Sequence, residues 1–194
     1  MRTLDMESAC SGGKPKGGQY EGFWRRFTAA CIVAAASCTG VFALKHCIRP
    51  ARLTDLDALE QLEQACFSSD LLSRARLRHW IRAANGILLV AVAPGRDAAL
   101  LGSCLVLTRR NSRKARLYSI ATAPAARGQG LGARLLAAAE RAARRQGCDC
   151  MQLEVAEDNA RAIQLYQDSG YAQFGFIPGF YEDGHNALRM QKGF

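Results

Sequence analysis

Residues 86–122 constrain the fold more than any other part of the chain. Three β-prone runs, GILLVAVA (86–93), ALLGSCLVLT (99–108) and RLYSIAT (116–122), are separated only by PGRDA and RRNSRKA. Linkers this short cannot carry a parallel crossover, which needs a dozen or more residues, so the runs form an antiparallel meander. Downstream the period changes. The spacing predicts a helix over about 131–146, a strand at 151–155, a helix at 160–168, and strands at 172–176 and 187–191. Upstream, a strand within 42–49 ends at Pro50. A helix then starts from Thr54 as N-cap, with Asp55 and Asp57 favouring its positive end. Leu56, Leu59, Leu62, Glu63 and Phe67 fall on one side of it. A second helix over 73–85 carries Leu77, Trp80 and Ile81 and is stopped by Gly86. The expected fold is α/β (α+β): a mixed, mostly antiparallel sheet of about six to seven strands with about four helices.

The chain has 194 residues, enough for one domain with an attachment. The attachment is a poorly ordered leader, residues 1–41, and the domain spans 42–194. Within the leader region, FTAACIVAAASCTGVFAL (27–44) is apolar and flanked by Arg25, Arg26 and Lys45. It approaches the length of a membrane span and resembles a signal peptide's apolar stretch. It also reads as the start of the first strand, or as a dispensable extension of an upstream start. Eight cysteines invite a disulfide or zinc reading, but no C-x-x-C occurs and the three histidines are scattered. They read as reduced thiols of a cytoplasmic protein, and no metal is expected. The net charge is +9, and its densest group is Arg109, Arg110, Arg113, Lys114 and Arg116. Such a cluster attracts an acidic partner such as RNA, a ribosome or cofactor phosphates. A solvated turn is the plainer reading, and no direct nucleic-acid role is expected.

Chemistry enters with IATAPAARGQGLG, residues 120–132, where a strand gives way to a helix through three alternate glycines. No G-x-x-x-x-G-K-S/T occurs, which excludes a Walker P-loop. Gly128 to Ala133 formally satisfies the dinucleotide pattern G-x-G-x-x-G/A, with Glu154 about twenty residues on. Three features weigh against it: five residues separate Thr122 from Gly128, Glu154 lies inside the strand LEV, and the chain left is too short for a doubly wound sheet. The remaining reading is R-x-x-G-x-G, Arg127 to Gly132, opening a helix. Bare glycines let successive N–H groups and the positive helix end converge on a pyrophosphate.

With this loop the chain resembles the GNAT acetyltransferases, whose cofactor loop reads Q/R-x-x-G-x-G/A after a strand. LEVAEDNARAIQLYQDSGY (153–171) is similar to the family's second segment, and FYEDGHNALRM (180–190) to the end of the bacterial ribosomal-protein alanine acetyltransferases. The resemblance covers roughly residues 45–194. It implies direct transfer of acetyl from acetyl-CoA, the co-substrate, to a primary amine. Main-chain groups of Ile120, Ala121 and Thr122 are implied to pair with pantetheine, although valine is common in the family where Thr122 stands. Arg127, Gly128, Gln129, Gly130, Leu131, Gly132 and Ala133 are implied to hold the pyrophosphate, and Asn159 to touch CoA. A splayed or bulged strand end would free an N–H for the thioester carbonyl. Glu154 matches the general base and Tyr166 the general acid.

Proton arithmetic bears on the acceptor. An α-amine with pKa about 7.7–8.0 is on the order of 10–20% neutral at pH 7, against about 0.04% for lysine. A single carboxylate base therefore suits a protein or peptide N-terminus, for example that of a ribosomal protein. A small-molecule amine, a lysine acceptor or a non-catalytic acetyl-CoA-binding module are the alternatives. Tyr181 with Glu182 and Asp183 would meet a cationic N-terminal residue, or form an ordinary hairpin tip.

Overall fold

The computed structural model describes residues 46–67, 71–95, 99–181 and 184–194. The leader, the apolar run 27–44 and the Glu182–Asp183 pair lie outside these residues. Among the described residues, seven strands form one sheet: β1 (Cys47–Pro50), β2 (Gly86–Val92), β3 (Leu100–Leu107), β4 (Lys114–Thr122), β5 (Cys150–Ala156), β6 (Ala172–Ile177) and β7 (Ala187–Gly193). Their order is β1-β2-β3-β4-β5-β7-β6. Every neighbouring pair is antiparallel except β4–β5, which is joined by a helical crossover. Among the described residues, four α-helices complete the fold: α1 (Leu56–Cys66), α2 (Arg74–Arg82), α3 (Leu131–Arg145) and α4 (Ala160–Asp168). This is the mixed architecture that the meander and crossover imply.

Alternation along the strands divides the apolar residues between two layers. Ile87, Leu89, Cys104, Val106, Leu117, Met151, Leu153 and Val155 pack with Leu131, Leu135, Leu136 and Ala139 of α3 and Tyr166 of α4. On the opposite face, Leu88, Val90, Leu105, Leu107 and Tyr118 pack with Leu56 and Leu59 of α1 and Leu77 and Trp80 of α2. The α1–α2 layer lies on β2, β3 and β4. Next to it, on the same face, β5 and β7 present facing polar pairs, Gln152 with Gln191 and Glu154 with Arg189.

Three local details differ from the sequence reading. Leu53–Asp55 is a single 3-10 turn, so Thr54 does not cap α1 and Asp55 stands at the N-cap position. The Asp55 carboxylate accepts from the Arg52 N–H at 2.7 Å and from both terminal nitrogens of Arg49. The Arg49 guanidinium holds that carboxyl below its ordinary range. α2 is shorter than expected, because Ala83 is already extended. Gly86 therefore does not stop a helix; it begins β2, where a Cβ would lie 2.8 Å from Cε3 of Trp80. Glycine is required there by packing. The cysteines among the described residues are free thiols, and burial pushes that of Cys104 up to about 12.

Candidate active site

The site starts from a fault in the sheet. β4 and β5 pair only at Lys114–Cys150, Ala115–Met151 and Arg116–Gln152, although the strands continue to Thr122 and Ala156. β4 also bulges where it meets β3. Leu105 pairs with Ser119 and Val106 with Leu117, which leaves Tyr118 as the extra residue and turns the strand. Past the bulge the Ala123 N–H donates to the Leu101 carbonyl at 2.8 Å. Alternation then gives the main-chain groups of Ala121 to β3 and turns those of Ile120 and Thr122 toward the gap.

The glycine loop stands at the mouth of this gap. Gly128 (φ 77°) and Gly130 (φ 70°) are left-handed, with open space where a Cβ would project. Gly130 is the N-cap of α3, and no side chain caps that helix end. Its first N–H groups therefore point outward with the positive end of the helix. Gly132 serves differently: a Cβ there would lie 3.4 Å from Cδ2 of Leu165, where α3 and α4 come together.

Between loop, strand and α4 runs a cavity of about 200 Å³. Of the residues expected at the cofactor, Ile120, Thr122, Arg127, Gly128, Gly130, Leu131, Gly132 and Ala133 line it, as does Tyr166. Three others do not. The Ala121 side chain packs against Leu62, Cys66 and Phe67 on the opposite face. The Gln129 amide donates to the Ala125 carbonyl at 3.3 Å. Asn159 is the N-cap of α4, its side chain accepting from the Ala162 N–H at 3.1 Å. Tyr166 is fully buried, with its ring 5.8 Å from that of Tyr171. Burial and the nearby Glu140 carboxylate hold the Tyr171 phenol above its ordinary range.

Glu154 does not share this cavity. It alternates with Leu153 and Val155, so it faces away from α3 and α4 into a second cavity of about 310 Å³. There Arg116 donates to Oε2 from Nη2 at 2.7 Å and from Nε at 2.8 Å, and Nε of Arg189 lies 3.7 Å from Oε1. The carboxylate and the Tyr166 phenol thus line different cavities, on opposite faces of the parted sheet.

Outside both cavities lies a further buried carboxylate. Glu63 of α1 is buried, one turn before Cys66, whose Sγ lies 3.4 Å from the Thr122 carbonyl. Burial raises its pKa to about 7, against the opposing pull of the Leu72 N–H 3.2 Å from Oε2. Among the described residues, no group of three or more side chains is arranged to hold a metal.

A model of the Acetyltransferase (GNAT) family matches residues 56–171, which contain both cavities' main walls. The chain belongs to that family. A streptothricin acetyltransferase from Streptomyces lavendulae is 34% identical over 103 residues, covering 51% of this chain and 54% of that one. A candidate ribosomal protein bS18-alanine N-acetyltransferase from Bacillus subtilis is 28% identical, covering 75% of this chain and 94% of its own length. The solved ribosomal-protein-S18-alanine N-acetyltransferase from Escherichia coli superposes with TM-score 0.66 at 23% identity, covering 76% of this chain and 93% of that chain. As a GNAT acetyltransferase, the protein is an enzyme of acetyl transfer.

The residues present fit the diphosphate and arm of an acyl-CoA. Two glycines leave their Cβ positions empty before an uncapped helix end, and Ile120, Ala126, Leu131 and Leu165 give an apolar wall beyond. Arg161 also lines the cavity from the first turn of α4. Sequence reading missed it. Its place two residues after the N-cap Asn159, on the helix that faces the glycine loop, is the signal that could have found it.

Proposed function

We propose that this GNAT acetyltransferase acetylates the N-terminal α-amine of a protein or peptide, using acetyl-CoA. Acetyl-CoA supplies an activated acetyl group on a thioester. The amides of Gly128–Ala133, with Arg127 and Arg161, hold the diphosphate end. The main-chain groups of Ile120 and Thr122 take the place of a neighbouring strand for the pantetheine arm. Through the gap between β4 and β5 the acceptor amine would meet the thioester carbonyl: Glu154 accepts the amine's proton from one face as the C–N bond forms, and Tyr166 gives its proton to the sulfur from the other as the C–S bond breaks.

The observation that carries this reading is the open polar face beside the parted strands. Glu154 stands in a polar cavity formed by side chains of β4, β5 and β7, apart from the cofactor cavity, and an extended chain end can lie along these strands. Its two arginine neighbours orient the carboxylate. A single carboxylate base is sufficient for an α-amine already partly neutral and poor for lysine. The similarity to ribosomal-protein alanine acetyltransferases supports the same choice.

A second reading, a small-molecule amine acceptor, draws on the 34% identity to streptothricin acetyltransferase. Acceptor profiling separates the two. Purified protein is given acetyl-CoA with peptides of free N-terminus, N-blocked lysine peptides, polyamines and aminoglycosides. Turnover concentrated on free peptide N-termini is the expected result. Turnover on polyamines or aminoglycosides with none on peptides rejects the proposal.

A further inference from the structure

The acid end of the cofactor cavity is anchored from behind. Tyr166 stands near the end of α4, and the turn that follows closes on it. The Tyr171 N–H donates to the Tyr166 carbonyl at 2.9 Å, and the Gly170 N–H to the Gln167 carbonyl at 2.9 Å, with Gly170 left-handed at φ 87°. These two bonds make a Schellman closure, in which the residue after the glycine packs against the residue whose carbonyl it caps. Tyr171 does so, with its ring tilted 59° to that of Tyr166, and both side chains are buried.

Tyr171 is itself tied down. Glu140 of α3 and Lys192 of β7 meet at the same turn, Nζ standing 2.8 Å from Oε2. That Nζ lies 5.8 Å from the centre of the Tyr171 ring, and Cε of Lys192 lies 3.7 Å from where a Cβ on Gly170 would project. The second carboxylate oxygen, Oε1 of Glu140, and the Tyr171 Oη are buried, and among the described residues neither has a hydrogen bond to any third group. A phenol donor beside a carboxylate acceptor leaves each to satisfy the other. α3 therefore meets α4 and its closing turn at two places: at Gly132 beside the glycine loop, and at Glu140, about 12 Å further along the helix.

We propose that Tyr171, fastened to α3 through Glu140, is a positioning residue that aligns the Tyr166 phenol with the donor's sulfur. The inference rests on the reading in which Tyr166 protonates that sulfur, and adds the group that holds the acid in place. Tyr171 lines neither cavity, so its hydroxyl acts through Tyr166 and not on donor or acceptor. Alignment of a reacting group is costly to lose: a misplacement of about 1 Å costs on the order of a hundredfold in rate.

Tyr171→Phe keeps the ring and the closing turn and removes only the hydroxyl. In the full chain, kcat should fall about tenfold while KM for acetyl-CoA stays within about twofold. Placed in a Tyr166→Phe background, the same change should cost nothing further, since the acid it serves is gone. Glu140 supplies an independent check. Glu140→Gln keeps a carbonyl that accepts from the phenol and should retain most of kcat, whereas Glu140→Leu should match Tyr171→Phe. Unchanged kcat in Tyr171→Phe overturns the inference and leaves the role of Tyr166 intact. A loss of equal size in both backgrounds, or one carried by KM, overturns it too, by assigning the hydroxyl to the fold or to the donor's site. If Tyr171→Phe does not fold, equal kcat in the two Glu140 variants has the same force. Full kcat in Tyr166→Phe alone removes the acid's role and this inference with it.

Discussion

The two faces of the parted sheet solve different problems with different materials. Toward α3 and α4 the cavity is built from main-chain groups, glycines and small apolar side chains, and its polar character comes from the helix end. Toward the α1–α2 side the basin is built from long charged side chains on adjacent strands. The first design is rigid and blind to side-chain chemistry, as a ligand common to a whole family requires. The second is set by a few replaceable residues. The buried carboxylates reverse the contrast. Glu140, on α3, has Lys192 at 2.8 Å, whereas the polar neighbour of Glu63, on α1, is a main-chain N–H.

The sharpest way to break this comparison is at Gly132. Gly132→Val places branched carbon against Leu165 at the helix contact, and kcat/KM for acetyl-CoA should fall about a thousandfold, near 4 kcal/mol, with circular dichroism unchanged. Full activity would show that the cavity between α3 and α4 is not where the cofactor binds. Next comes stability at Glu63. Its folded pKa of about 7 exceeds the ordinary 4.5, so the neutral acid's contribution is complete below about pH 4.5 and fades as pH rises through 7. Denaturant melts should find Glu63→Gln gaining on wild type across that window, by up to about 3 kcal/mol at pH 8. Parallel pH curves for the two proteins would remove the buried, neutral acid from the account.

Smaller effects separate the two reacting groups. Tyr166→Phe should lower kcat about a hundredfold with little change in acetyl-CoA affinity by calorimetry. Glu154→Gln should cost about tenfold on peptide N-termini, because part of the α-amine needs no base. If the glutamate variant loses more than the tyrosine variant, the proposed division of labour between the faces is reversed. At the bottom of the scale, Arg113→Ala should leave both rate and stability indistinguishable from wild type in the same assays, since its pairing with Asp149 is exposed.

The first face was far more legible in the sequence than the second. Gly128, Gly130 and Gly132 announce themselves because only main-chain geometry explains three bare residues before a helix. The meander was equally plain, since short polar turns leave β2, β3 and β4 no other arrangement. The partners of Glu154 were hidden for a physical reason. Arg116 and Arg189 come from strands 38 and 35 positions away in the chain, and only the register of the sheet brings them together. Period-two alternation in LEV does hold the clue that Glu154 turns away from the core. Asp55 in place of Thr54 and the close approach at Gly86 were lost for a simpler reason. Both depend on where Arg49 and Trp80 arrive in space.

The three-rung junction between β4 and β5 has a consequence for the protein's survival as well as its chemistry. A sheet left unlaced at its centre gains the missing cross-links from whatever lies in the gap, so an acetyl donor bound as proposed would act as a strut. At a hundred times its dissociation constant, such a ligand adds about 2.7 kcal/mol to folding. Amide exchange at Ile120 and Thr122 should slow accordingly. When the donor pool runs low, the enzyme becomes not only idle but easier for proteases to dismantle.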